Sequence, residues 1–247
     1  MEAPPGDTTV LWHDVECGSY SADLPLWREL AAEARGPVLD LGCGTGRVTL
    51  DLSERGYGVT GLDIEPRFIQ ELRRRALERG LPVSAVGGDA RELRLGRTFA
   101  LVLAPMQLVQ VVGGSAARAA LLRGVRRHLI PGGVFAAAIT PADSTLVAED
   151  QVPALPDVLE RHGWVLSSYP LEIRVEERGV AVERLRQLVS PAGELSEERG
   201  TVWLHGVTPA GLEVEARRAG LAPGGRGQIA ETADHVGSTV VILKSPA

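Results

Sequence analysis

The chain has 247 residues, is 44% hydrophobic and 23% charged, and carries a formal net charge of −6. That length suits one large α/β domain with a well-buried core, and the apolar share excludes a disordered chain. The acidic balance argues against a nucleic-acid surface, which needs a basic stripe. The longest apolar run, 100–112, is broken by Pro105 and two glutamines and falls short of a membrane span. No basic region followed by an apolar core opens the chain, so no signal peptide, a soluble protein and a cytoplasmic setting are expected. Cys17 and Cys43 have no C-x-x-C partner or nearby histidine pair and read as free thiols.

In chain order, Leu24 to Ala34 repeats apolar residues at a helical period. Val38 to Leu41 is a short apolar run that ends in Gly42-Cys43-Gly44-Thr45-Gly46, a buried strand entering a ligand-binding turn. A dinucleotide fingerprint would require glycine at position 47, which is Arg47. Asp40, just before the first glycine, favours a ligand with an ammonium group over one with phosphates. A second run, 58–62, ends in Asp63-Ile64, about 20 residues on, where an acid can accept hydrogen bonds from a ribose diol. Taken alone, Asp63 also reads as a helix N-cap, and Asp89 as the cap of a short turn.

A helix is predicted from about Pro66 to Arg79, with Glu71–Arg75 and Arg74–Glu78 as i,i+4 pairs on a solvated face. A third run, 83–86, ends in Gly87-Gly88-Asp89-Ala90, and a fourth, 99–103, leads into Ala104-Pro105-Met106-Gln107. The alternation up to Thr140 specifies a parallel sheet with right-handed crossovers and helices on both faces. Beyond Pro141 come a proline-rich stretch, a short helix near 156–162 and three strand-like segments, 164–176, 180–190 and 200–206, which read as a meander. Thr208 as N-cap and Pro209 at the first position open a helix to about Ala219, followed by strands 221–228 and 236–244.

Val38 to Arg47 resembles motif I of the class I S-adenosylmethionine-dependent methyltransferases, and 126–135 resembles the helix, turn and strand that follow later in that family. The resemblance implies a doubly wound, mostly parallel seven-stranded sheet with an antiparallel final strand, the meander being an insertion between the fifth strand and the last helix. It implies one domain over 1–247: an N-terminal lid and helix (1–35), a cofactor-binding core (36–140), a substrate-covering insertion (141–207), and the last helix and closing strands (208–247). The cofactor it implies is S-adenosyl-L-methionine, with S-adenosyl-L-homocysteine as product. Asp40, Gly42, Cys43, Gly44, Gly46 and Arg47 form the expected turn, and Asp63 with Ile64 the ribose side. Asp89 and Ala90 would meet the adenine amino group, Ala104 and Met106 would begin the wall of the reacting site, and Tyr20 would fold over the cofactor.

Methyl transfer from a sulfonium is an in-line displacement by an already reactive donor, so the protein contributes mainly proximity and orientation. A base is needed only where the acceptor must lose a proton, and His205 is the candidate. Ala104-Pro105-Met106-Gln107 lacks both the Pro-Pro and aromatic signature of amide and exocyclic-amine methyltransferases and the acid of the magnesium-dependent catechol type. The expectation is metal-independent transfer to an O, N or C atom of a small-molecule acceptor, with no nucleic-acid or membrane partner. Alternatives are an RNA or protein methyltransferase, a non-catalytic cofactor-binding protein and, against Arg47, a nucleotide-dependent oxidoreductase.

Overall fold

The computed structural model describes residues 6–141, 155–232 and 235–247. In chain order its elements begin with α1 (Thr8–His13), a π-helical turn (Asp14–Gly18), α2 (Leu24–Ala34), β1 (Val38–Leu41), α3 (Arg47–Glu54) and β2 (Val59–Asp63). They continue with α4 (Pro66–Glu78), β3 (Ser84–Gly87), a 3-10 turn (Ala90–Glu92), β4 (Phe99–Ala104), α5 (Leu108–Val111), α6 (Ser115–His128) and β5 (Leu129–Ile139). The remainder is β6 (Asp157–Arg161), β7 (Trp164–Glu176), β8 (Gly179–Val189), β9 (Leu195–His205), α7 (Pro209–Arg218), β10 (Ala222–Ile229) and β11 (Ser238–Lys244). Two compact units result, one of Met1–Tyr20 with Pro141–Gly206, the other of Ser21–Thr140 with Val207–Ala247.

The second unit is a seven-stranded sheet in the order β10-β11-β5-β4-β1-β2-β3. The pairs from β3 to β5 are parallel, while β11 runs antiparallel to both β5 and β10. This is the expected doubly wound sheet with its antiparallel last strand. Every residue of β1, β2 and β4 is buried, as in a parallel strand covered on both faces. Leu39, Leu41, Phe99, Leu121, Phe135, Leu212 and Val241 share one core. Helix starts follow local chemistry: the Glu65 side chain accepts from Arg67 N ahead of Pro66, and Thr208 Oγ1 accepts from Gly211 N at 3.0 Å ahead of Pro209. Arg75 and Arg74 meet Glu71, and Arg74 also meets Glu78, so the basic run is the salt-bridged helix face expected of it.

The first unit is a four-stranded antiparallel sheet, β6-β7-β8-β9, carrying α1 and the π-helical turn. Leu11, Trp12 and Val15 pack on Trp164 and Leu166. Beside them, Glu16 accepts from Arg186 Nε at 2.7 Å, from Arg186 Nη2 at 3.0 Å and from Ser168 Oγ at 2.8 Å. Arg184 joins the cluster through Ser168 Oγ (2.9 Å) and Asp157 (2.5 Å). Burial works against the Glu16 charge, yet the bonds from Arg186 and Ser168 hold its carboxyl below the ordinary range.

One expected element is corrected. Residues 157–161 form strand β6, not a helix. His162 (φ 51°) and Gly163 (φ 78°) supply two consecutive left-handed residues, a two-residue hairpin that pairs Arg161 with Trp164 and turns Leu159 towards the Trp164–Leu166 core. The meander therefore has four strands, and its last begins at Leu195, earlier than 200. Most of the proline-rich stretch after Pro141 falls outside the described residues.

Candidate functional site

The carboxyl ends of β1 and β2 carry the densest set of constraints in the sheet unit. Gly42, Gly44 and Gly46 have φ of 64°, 54° and 103°. A Cβ at Gly46 would stand 2.4 Å from Leu72 Cδ1, and one at Gly42 2.8 Å from Leu108 Cδ1, so both positions require glycine on two grounds. Asp63 ties this turn to its neighbours. Its Oδ2 accepts from Gly44 N and its Oδ1 from Glu65 N, both at 2.9 Å, and its carbonyl accepts from Gly88 N beyond β3 at 2.9 Å. Glu65, not Asp63, caps α4. An ionised carboxylate has about four acceptor directions, so the two backbone bonds fix Asp63 and leave capacity for further donors. Ile64, next to it, is an apolar side chain 64% exposed on the same edge.

Asp40 lies in β1 with Gly61 and Leu103 as its strand partners and is 1% exposed. Thr49 Oγ1 of α3 donates to its Oδ2 at 2.7 Å, whereas Oδ1 is buried with no hydrogen-bond partner. Arg47 commits both terminal nitrogens to Asp23, at 2.6 and 2.8 Å, and Trp27 Nε1 adds a third bond to Asp23 at 2.8 Å. Burial pushes the Asp40 carboxyl up from 3.8 to about 7; the Thr49 bond and the Arg47 charge oppose this, and the charges of Asp23 and Asp63 add to it. The Cys43 thiol, buried in the turn, is raised well above its ordinary value by burial and by the charges of Asp40 and Asp63. It is a protonated small side chain there, not a nucleophile.

Farther along the edge, Asp89 accepts from Arg91 N at 2.8 Å, capping the 3-10 turn, and pairs with the Arg91 guanidinium at 2.5 Å. That bond, together with its backbone counterpart, holds its carboxyl below the ordinary value. Ala90 is buried behind it. Beyond Ala104, Met106 (φ 46°) and Gln107 (φ 57°) are consecutive left-handed residues without glycine, a strained turn of the kind that clusters at functional sites. A buried amide network braces it. Gln107 Nε2 donates to Thr140 Oγ1 at 2.9 Å, and Gln110 exchanges two 3.0 Å bonds with the Thr140 backbone.

The remaining sequence candidates belong to the other unit. Tyr20 follows the π-helical turn and is largely buried. His205 ends β9, and its ring meets Trp203 edge-on at 5.8 Å between centroids. Of the other aromatic residues of that unit, Trp164 is core, while Tyr169 is only partly buried in β7. Sequence reading singled out neither Asp23, Thr49, Gln107, Gln110 nor Thr140. Asp23 carried a signal: an acid directly before Leu24-Pro25, with Trp27 four residues on.

Chemically, the edge offers close main-chain approach at the glycines, a fixed carboxylate at Asp63, a buried acid at Asp40 and an open apolar side chain at Ile64. That set suits a ligand combining a ribose diol, a flat base and an ammonium group, and it fits S-adenosylmethionine. Among the described residues, no group of three His, Cys, Asp or Glu side chains is arranged to hold a metal ion, and no helix is long and apolar enough to cross a membrane.

The methyltransferase domain family matches residues 38–133. The cypemycin N-terminal methyltransferase of Streptomyces sp is 40% identical over 96 residues, 39% of this chain and 38% of that one. The ubiquinone biosynthesis O-methyltransferase of Methylobacterium nodulans is 35% identical over 126 residues, 51% of this chain and 48% of that one. The matched parts thus span less than half of these relatives' lengths. Among solved structures, the sugar N-methyltransferase KedS8 from Streptoalloteichus sp superposes with a TM-score of 0.76 over 100% of this chain and 96% of that one, at 18% identity. At that identity the likeness speaks for the fold.

Proposed function

We propose that this protein is a class I S-adenosylmethionine-dependent methyltransferase that transfers a methyl group to an O, N or C atom of a small-molecule acceptor, a reading supported by its match to the methyltransferase domain family over residues 38–133. The observation that carries this reading is the joint arrangement of Asp63 and the glycine turn, with a buried acid, Asp40, behind it. When bound, S-adenosylmethionine supplies a methyl group on a sulfonium, already activated for displacement.

The chain's own residues then bind, orient and exclude water. Asp63 takes the ribose diol, Ile64 covers one face of the base, and Asp89 with Ala90 meets its amino edge. Gly42, Cys43, Gly44 and Gly46 present main chain to the amino-acid portion. Arg47 keeps Asp23 paired below the turn, and Ala104 and Met106 begin the wall facing the acceptor. Holding nucleophile and donor in line in a partly dry site is worth several kcal/mol in such a reaction.

The test is incubation with methyl-labelled donor in the presence of a panel of small amines, phenols and alcohols, with total RNA and bulk protein in parallel. Label in a small molecule supports the reading. Label confined to RNA or protein would replace it with modification of a macromolecule.

A further inference from the structure

Among the described residues no cation pairs directly with the Asp40 carboxyl, although the Arg47 charge favours its ionised form. Its strand partners Gly61 and Leu103 carry no charge, and the one hydroxyl facing it, from Thr49 on α3, serves Oδ2 and leaves Oδ1 without a hydrogen bond. Arg47, at the start of the same helix, directs both terminal nitrogens to Asp23. The other titratable groups acting on it, Asp23, Asp63 and the Cys43 thiol, are acids. A carboxylate so placed is disfavoured as an anion unless positive charge arrives.

We propose that Asp40 carries a proton in the free protein and releases it to solvent when a ligand brings an ammonium group to the 42–46 turn, so that binding of the amino-acid portion of the cofactor is coupled to loss of a proton. This rests on the reading of that turn as the S-adenosylmethionine site. The balance is simple: the Asp40 O–H bond breaks, the proton passes to buffer, and the new carboxylate faces the incoming cation. An opposite charge within about 4–6 Å lowers a carboxyl by about 1–3 pH units, enough to ionise a group poised near neutrality. Affinity for the amino-acid portion therefore falls as pH drops below neutral, while affinity for the nucleoside portion does not.

The experiment is calorimetric titration of the full chain with S-adenosylhomocysteine at pH 7 in buffers of different ionisation enthalpy, with 5′-methylthioadenosine, which has no ammonium group, as the second probe. Part of a proton should be released per S-adenosylhomocysteine bound at pH 7, more as the pH is lowered towards 6 and none at pH 9, and none on binding 5′-methylthioadenosine. Asp40→Asn should bind S-adenosylhomocysteine more weakly with no buffer-dependent heat. Thr49→Val, which removes the donor favouring the anion, should move the release to higher pH and keeps the test open should Asp40→Asn fail to fold. Buffer-independent binding by the wild type, or equal release with both probes, overturns the proposal while leaving the cofactor reading standing. Failure of the folded wild type to bind S-adenosylhomocysteine overturns both.

Discussion

The main-chain N–H of Gly44 donates to Oδ2 of Asp63 at 2.9 Å, so the acid that ends β2 is held by the turn that follows β1. Asp63 is thereby both a ligand candidate and a clasp between adjacent crossovers. The two roles separate experimentally, because the clasp acts on stability and the carboxylate on binding.

Gly46→Ala should destabilise the protein by about 1–3 kcal/mol, because it combines a left-handed backbone with a Cβ placed 2.4 Å from Leu72 Cδ1. Denaturant unfolding measures this, and Gly46→Ala with Leu72→Ala should recover part of the loss. Gly56→Ala, at φ 86° with nothing near its Cβ, is the control that carries backbone strain alone.

Asp23 and Arg47 form a buried bidentate pair, 1% and 10% exposed. Removing one partner strands a buried charge, so Asp23→Ala or Arg47→Met alone should cost about 3–5 kcal/mol. The double variant should cost less than the sum, and a double-mutant cycle by urea unfolding gives the coupling directly.

The raised carboxyl of Asp40 sets a sign for stability against pH. Between its ordinary value of 3.8 and about 7, the folded state holds a proton that the unfolded state has lost, so this group's contribution to stability falls as pH rises through that window. Asp40→Asn removes the effect. Its melting temperature relative to wild type should therefore be higher at pH 8 than at pH 5; an unchanged difference would remove Asp40 as the titrating group.

Glu16 works in the opposite sense. Its carboxyl is held below 4.5 by Arg186 and Ser168 despite burial, so its contribution is complete above that value and is lost as pH falls through the lower folded value. Glu16→Gln should loosen the 7–20 segment from the four-stranded sheet at neutral pH and flatten the acid side of the stability curve. Amide exchange across α1, compared at pH 7 and pH 4, reads both effects.

Much of this was legible in the residues. The strand ends at Leu41, Asp63, Gly87 and Ala104 follow from apolar runs stopped by Gly, Asp or Pro, signals that are local and strong. Thr208-Pro209 likewise declares a helix start within two residues. Residues 157–161 were misread because five residues of mixed polarity fit either period, and the deciding feature is tertiary: Leu159 has a core to meet only as a strand. The Asp23–Arg47 pair and the Gln110–Thr140 exchange span 24 and 30 residues. No local pattern encodes such pairings, which the folded sheet alone brings together.

The most direct test of the central claim is calorimetric titration of wild type and Asp63→Ala with S-adenosylhomocysteine, with NAD alongside. Loss of a charge-assisted hydrogen bond predicts affinity weakened about tenfold or more in a variant that still folds, and no heat with NAD. Equal affinity in the two proteins would remove Asp63 from the site, and binding of NAD in place of S-adenosylhomocysteine would contradict the cofactor assignment itself.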